Sequence, residues 1–336
     1  MAYTKPQVPS VYFPTFKDKM PDLTGKTFVI TGTTSGTGKV AALTLVEKGA
    51  RVLMLNRKSA RSEKVQQDIQ NTFPNGDVQT IECDLQSFAS VQSAADQLKE
   101  LCTESGVYAL INNAGIMAML DEATVDGFDI QMQTNHLSHF LLTRELYPLL
   151  EKAAETHGDA RIVNHSSIAR KGVPKLEAKY LEANGGNLGG NSSNMMWGGR
   201  WVRYGQTKLA NAAFTAALHQ KLTQAGSKVK ALVAHPGWAN TELQVTTDKQ
   251  GGMSMGSSFL AKFISQSAED GTLGLLSCAV LPEARSGEFW GPGSGMMASK
   301  GEAKPFGMEK QYDNETTKEM IWSKSCAAIG KDFLIG

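Results

Sequence analysis

A short apolar strand that runs straight into a glycine cluster and then into a helix constrains this chain more than any other feature. Thr27 to Thr31 reads TFVIT, Gly32, Gly36 and Gly38 follow, and Val40, Leu43 and Val46 then recur at helical spacing before Gly49. The alternation repeats. Strands are expected at Arg51 to Leu55, Asp77 to Glu82 and Val107 to Asn112, separated by helices from about Ser59 to Thr72 and from Ser87 to Glu104. A long helix from about Gly127 to Glu151, a strand Arg161 to Asn164, a helix Trp201 to Gln224 and a strand Lys230 to Ala234 continue it. Apolar strands separated by helices bury both faces of a parallel sheet, so the expected fold class is α/β, a doubly wound parallel sheet.

At about 150 residues per domain the length of 336 allows two domains, but neither a repeat nor a second core is visible. A single Rossmann-type domain over 22–300 is expected, preceded by an arm at 1–21 and followed by a C-terminal extension at 301–336 with a short helix. Two segments break the rhythm. Residues 168–200 hold Gly185, Gly186, Gly189, Gly190, Gly198 and Gly199 and read as a loop-like insertion. Residues 240–268, with Met253, Met255 and Phe259, read as a lid or a surface loop.

Composition removes several classes of function. Lys and Arg total 34 against 33 Asp and Glu, and no block of like charge could track a phosphate backbone or an anionic bilayer. No apolar run approaches the roughly 20 residues of a membrane span. Cys83, Cys102, Cys278 and Cys326 are scattered, which fits a reducing intracellular compartment, the cytoplasm or an organelle. His136 and His139 lie three apart on a helix, but no third ligand is near, so no metal is expected.

The glycine cluster Thr31 to Gly38, with Thr34, Ser35 and Gly36 at its centre, has a strand before it and a helix after it. Glycines let backbone approach a pyrophosphate, and the helix N-terminus offers it unpaired N–H groups; the bland alternative is an empty tight turn. Asn56 and Arg57 follow the second strand, where a carboxylate would accept from a ribose 2′-hydroxyl and a cation favours a 2′-phosphate. Arg57 and Lys39 therefore point to NADP rather than NAD, unless both are ordinary surface cations. Asp84 and Leu85 follow the third strand, and Asn112, Asn113, Ala114 and Gly115 the fourth, at the sheet edge where ligands bind in such folds. Ser166 and Ser167 end the fifth strand. Tyr204 and Lys208 are spaced to share a helix face, where an ammonium can stabilise a tyrosinate.

In this order the motifs TGTTSGTG, Asn56-Arg57, Asp84-Leu85, NNAG, Asn135, Ser166-Ser167, YGQTK and Pro236-Gly237 resemble the short-chain dehydrogenase/reductase family over about residues 22–300. LINNAGIMAM, TNHLSHFLLT and YGQTKLAN are similar to its retinol dehydrogenase and WW-domain oxidoreductase branch. The resemblance implies a catalytic tetrad of Asn135, Ser167, Tyr204 and Lys208. Tyr204 would be the general acid or base, Ser167 would bind the substrate oxygen, and Lys208 would hold the nicotinamide ribose and lower the Tyr204 pKa. Asn135 would position a relay water, while Pro236, Gly237 and Thr241 would complete the NADP(H) site. It also implies that the helices beginning near 127 and 201 could serve a homodimer, although their apolar residues suffice for internal packing.

The insertion departs from the family spacing, since 204 − 167 = 37 residues separate serine and tyrosine. NLGGNSSNMMWGG at 187–199 looks like the matching stretch of light-dependent protochlorophyllide reductases, but Trp238 stands where those carry a cysteine. Met195, Met196, Trp197 and Trp201 either line an apolar pocket or pack the insertion. The expected function is hydride transfer between NADP(H) and the carbonyl or alcohol carbon of a bulky apolar molecule. A C=C reductase and a non-catalytic NADP-binding regulator are the alternatives.

Overall fold

The computed structural model describes residues 8–195, 197–237, 266–294 and 299–336. Its frame is an eight-stranded sheet in the order β3-β2-β1-β4-β5-β6-β7-β8. β1 (Thr27–Thr31), β2 (Arg51–Asn56), β3 (Val78–Glu82), β4 (Ala109–Asn112), β5 (Ala160–His165), β6 (Val229–Ala234) and β7 (Phe289–Ser294) run parallel, and β8 (Lys300–Phe306) closes the edge antiparallel. Strand order reverses between β1 and β4, where a crevice opens at the carboxyl ends of the strands.

Helices cover both faces, as continuous apolar strands require. On one face α2 (Gly36–Glu47), α3 (Ala60–Thr72) and α8 (Ala268–Val280) bury Leu45, Ile69 and Leu276 against Phe28, Ile30 and Met54. On the other, α4 (Phe88–Leu101), α6 (Ser138–His157) and α7 (Gly199–Gln224) bury Leu98, Phe140 and Phe214 against Val29, Leu110 and Ile162. A short helix α5 (Ile130–Met132) leads through a π-helical turn, Gln133–Leu137, into α6. Single π turns favour functional sites because they re-aim a side chain within a helix.

The outlying segments belong to the same body. In the N-terminal arm, α1 (Phe13–Lys19) starts where the Asp270 carboxylate accepts from the backbone N–H groups of Val11, Tyr12 and Phe13 at 2.9 Å each. The insertion is no plain loop: two 3-10 turns, Ile168–Gly172 and Ala178–Leu181, carry it, and Leu176, Tyr180, Leu181 and Leu188 sit in the main core. Nor does the core stop at residue 300. Helix α9 (Glu315–Ile329) lies on α7, with Trp322 stacked on Phe333 at 4.9 Å and Phe140 within 5.6 Å of both rings. This C-terminal segment thus covers apolar surface of α6 and α7, for which a homodimer and internal packing were the two readings. The expected lid, 240–268, lies outside the described residues except at its last three positions.

Candidate active site

Thr31, the last residue of β1, organises the crevice. Its hydroxyl oxygen accepts from the N–H groups of Asn113 (3.0 Å) and Ala114 (2.9 Å), so its own proton goes to His139 Nε2 at 2.9 Å. His139 Nδ1–H then donates to the Asn135 carbonyl at 3.1 Å, and burial pushes this imidazole down to about 4, so it stays neutral. His136 instead spends Nδ1 on Asn211 and Nε2 on Ser325. The two rings are committed to different partners and do not converge on an ion.

The glycine loop is packed too tightly for any other residue at two positions. Gly32 has φ +72°, and a Cβ there would lie 2.8 Å from Ala114 Cα; a Cβ on Gly38 would lie 2.2 Å from the Gly32 carbonyl oxygen. Asn113 holds the loop through Nδ2, which donates to the carbonyls of Thr31 (2.9 Å) and Gly32 (3.1 Å), while its Oδ1 accepts from the Thr37 hydroxyl. Helix α2 starts without a side-chain cap, and Gly36 and Thr37 of its first turn line the crevice. Gly38 packs behind the loop rather than on the crevice wall.

Asn56 is also structural: Oδ1 accepts from the Thr33 N–H at 2.9 Å and Nδ2 donates to the Thr33 hydroxyl at 2.8 Å. Beyond it Arg57, Lys58 and Arg61 line the crevice, and none of the three forms an ion pair among the described residues. Lys39 faces Asp68 of α3 at 3.7 Å and is not among the residues that line the crevice. Lys58 and Arg61 escaped the sequence reading, although the run Arg-Lys-Ser-Ala-Arg after a strand end carried the signal. Asp84, Leu85, Ala114, Gly115, Pro236 and Gly237 complete the rim, and Thr241 lies outside the described residues.

Deeper in, Ser166 and Ser167 part ways. Ser166 Oγ donates to the Lys208 carbonyl at 2.7 Å and is buried, whereas Ser167 lines the crevice with Tyr204 and its Oγ accepts from the Ala169 N–H at 3.2 Å. Burial pushes the Tyr204 phenol up to about 12, with the Ser167 hydroxyl pulling it back. Lys208 Nζ lies 5.6 Å from the centroid of the Tyr204 ring and donates to the His165 carbonyl at 3.1 Å; burial pulls it down to about 8. Asn135, in the π turn, donates through Nδ2 to the Ile116 carbonyl and the Thr207 hydroxyl, both at 2.9 Å, and accepts at Oδ1 from the Ile116 N–H.

Sequence reasoning missed two supports. His165 lines the crevice and bonds through Nδ1 to Asn113 Oδ1 at 3.1 Å, linking the serine strand to the glycine loop. Arg170, fully buried, donates from Nη1 to the Ser167 carbonyl at 3.1 Å and makes a two-pronged pair with Glu309 at 2.9 Å, while its guanidinium sits 4.2 Å from the Phe289 ring centroid. Their partners are distant in sequence, so no local signal announced either.

One crevice of about 820 Å³ runs from Arg57 past the glycine loop to Tyr204 and Lys208. Past Tyr204 its wall turns apolar, with Met117, Met119, Ile168, Met195 and Trp201. Trp201 meets the Tyr204 ring edge-on at 6.0 Å. Trp197 is 69% exposed and does not line the crevice, and Met196 lies outside the described residues. A second depression, about 630 Å³, lies at the opposite end of the sheet with Lys26, Arg161, Lys228 and Lys230 on its walls. Those cations stand where α6, α7 and α8 end, and they offset the negative potential of helix C-termini.

Residues 26–181 match the family model described as short chain dehydrogenase. An uncharacterized oxidoreductase of Schizosaccharomyces pombe is 38% identical over 231 residues, covering 68% of this chain and 64% of that protein. Retinol dehydrogenase 11 of Homo sapiens is 32% identical over 310 residues, covering 92% and 87%. Among solved structures, an uncharacterized protein from Mycobacterium paratuberculosis superposes with a TM-score of 0.71 at 31% identity, covering 95% of this chain and 98% of that one. The Pseudomonas aeruginosa RhlG/NADP active-site complex gives 0.52 at 26%, covering 72% and 80%. With the sheet order, the glycine loop and these matches in agreement, the chain belongs to the short-chain dehydrogenase/reductase family, in its retinol dehydrogenase-like branch.

Proposed function

We propose that the protein is an NADP(H)-dependent oxidoreductase that interconverts a carbonyl and an alcohol on an extended apolar molecule, with Tyr204 as the general acid or base. The observation that carries this reading is the continuity of the crevice, which joins the cation cluster, a close-packed glycine loop and the Ser167–Tyr204–Lys208 group. The residues fit a dinucleotide phosphate. Gly32 and Gly38 leave no room for side chains, α2 offers an uncapped N-terminus to a pyrophosphate, and Arg57, Lys58 and Arg61, with no ion pair among the described residues, offer positive charge to a 2′-phosphate. When bound, the cofactor supplies or takes the hydride.

The chain's own groups handle the proton. In the reducing direction Tyr204, a phenol protonated at neutral pH, stands ready to donate to the carbonyl oxygen as negative charge develops there. Ser167, on the same crevice wall as Tyr204, gives that oxygen a second donor. Lys208 holds the ribose and stabilises tyrosinate as it forms. Asn135 fixes the Ile116 backbone beside Gly115, so its contribution is to hold the floor of the site.

The test is turnover. Purified protein with NADPH, and in parallel with NADH, is offered aldehydes and ketones of increasing chain length, and loss of nicotinamide absorbance is followed. Oxidation of NADPH with preference for long apolar substrates is expected. Absence of turnover of any of them in either direction, despite tight NADPH binding, would favour the regulator.

Lys208 gives a second expected result. A lysine with ordinary pKa is less than about 1% deprotonated at pH 8, whereas burial brings Lys208 near half. Its rate of acetylation in the cofactor-free protein, read by mass spectrometry of the Lys208 peptide against pH, should reach half-maximum near pH 8. A midpoint near that of the exposed lysines would show that the site does not desolvate it.

A further inference from the structure

We propose that Arg203 is a specificity-positioning residue, which fastens the insertion to the segment after β4 so that Met119, Met195 and Trp201 form one wall that selects substrate length. The inference rests on the reading of the crevice as a site for an extended apolar carbonyl compound, and it names the residue that shapes that site. Arg203 immediately precedes Tyr204 in α7 and is completely buried. Burying a guanidinium is costly unless every donor finds a partner, and an apolar residue would fill the same volume more cheaply.

Its partners show what the charge is for. Nη1 donates to the carbonyls of Leu188 (3.0 Å) and Gly190 (2.8 Å) in the insertion, and Nη2 to the carbonyl of Met119 at 3.1 Å. Nε lies 3.1 Å from Asp129 Oδ2, and Nη1 lies 3.4 Å from Asp121 Oδ2. Asp121 reaches the same insertion strands, accepting from the N–H groups of Leu188 (2.9 Å) and Gly190 (2.8 Å), while its own N–H donates to Asn191 Oδ1 at 2.7 Å. Asp129 accepts from Gln131 and Met132 and so caps α5, which leads into the π turn of Asn135. One guanidinium therefore ties together both banks of the apolar wall and the helix that bears Tyr204. None of its hydrogen bonds or ion pairs among the described residues goes to the glycine loop or the cation cluster, so its influence falls on the substrate end.

The test compares wild type with Arg203→Met and with Arg203→Met/Asp121→Asn/Asp129→Asn, the triple variant removing the carboxylates that the single change strands in the interior. Two readouts are taken: deuterium uptake by peptides spanning 185–195 and 117–121, and the ratio of kcat/KM for a twelve-carbon over a four-carbon aldehyde with NADPH. If wild type turns over no carbonyl, the reading of function fails, and equilibrium dissociation constants for the matching alcohols replace the kinetic ratio. Faster exchange in both peptides together with a fall of about tenfold or more in the ratio supports the proposal. Unchanged exchange, or an unchanged ratio because all chain lengths lose equally, would overturn it and leave Arg203 a purely structural residue.

Discussion

Tyr204→Phe should lower turnover by roughly 100-fold or more while NADPH affinity stays within about threefold. The ring keeps its edge-on contact with Trp201 and only the hydroxyl is lost, so stability and cofactor contacts have little reason to change. The loss falls on kcat, because the proton is needed as charge develops on the substrate oxygen and not when substrate binds. Ser167→Ala should cost less, since it removes a hydrogen bond to that oxygen and leaves the proton source in place. Stopped-flow turnover paired with fluorescence titration of NADPH separates the two quantities, and a Phe variant that turns over normally would remove Tyr204 from the chemistry.

The second large effect is on cofactor choice. Arg57→Asp should weaken NADPH binding by about 2 to 4 kcal/mol, because it deletes a charge-assisted contact and places an anion against the phosphate. NADH should change little. Arg57 is exposed, as are Lys58 and Arg61, and the whole cluster is open to solvent screening. The preference for NADPH over NADH should therefore shrink as salt is raised, and more steeply in wild type than in the variant. Equal loss for both cofactors would place Arg57 outside the 2′-phosphate site.

The central sheet was legible because β1, β2, β4 and β5 are buried almost throughout, and such strands announce themselves as apolar runs. The last two strands gave no such signal. β7 reads FWGPGS and β8 reads KGEAKPF, with proline and glycine where a strand pattern expects β-branched residues; β8 tolerates them as the edge strand, and Pro292 of β7 lies past Phe289 and Trp290, the residues that pair with β6, beside an irregularity in its pairing with β8. Spacing showed that Tyr204 and Lys208 share a face and that Ser166 and Ser167 end a strand, but not which serine faces in. That choice depends on Ser166 finding the Lys208 carbonyl across the fold. The partner of Lys39 was hidden for a similar reason: its place after the glycine loop is local, whereas Asp68, which it faces, comes from the next helix. Arg170 and Arg203 were out of reach, since a surface arginine and a buried one look alike until their carbonyl and carboxylate partners are known.

The pairing of Arg170 with Glu309 bears on the order in which the protein becomes competent. Synthesis from the N-terminus delivers the glycine loop first, then Ser167 and Arg170, then Tyr204 and Lys208, and Glu309 only long afterwards. Until that carboxylate emerges from the ribosome, Arg170 is a guanidinium destined for an apolar niche against Phe289 with no counter-charge to bring it there. The carboxylate that completes the surroundings of the serine turn is thus among the last parts of the site to be made.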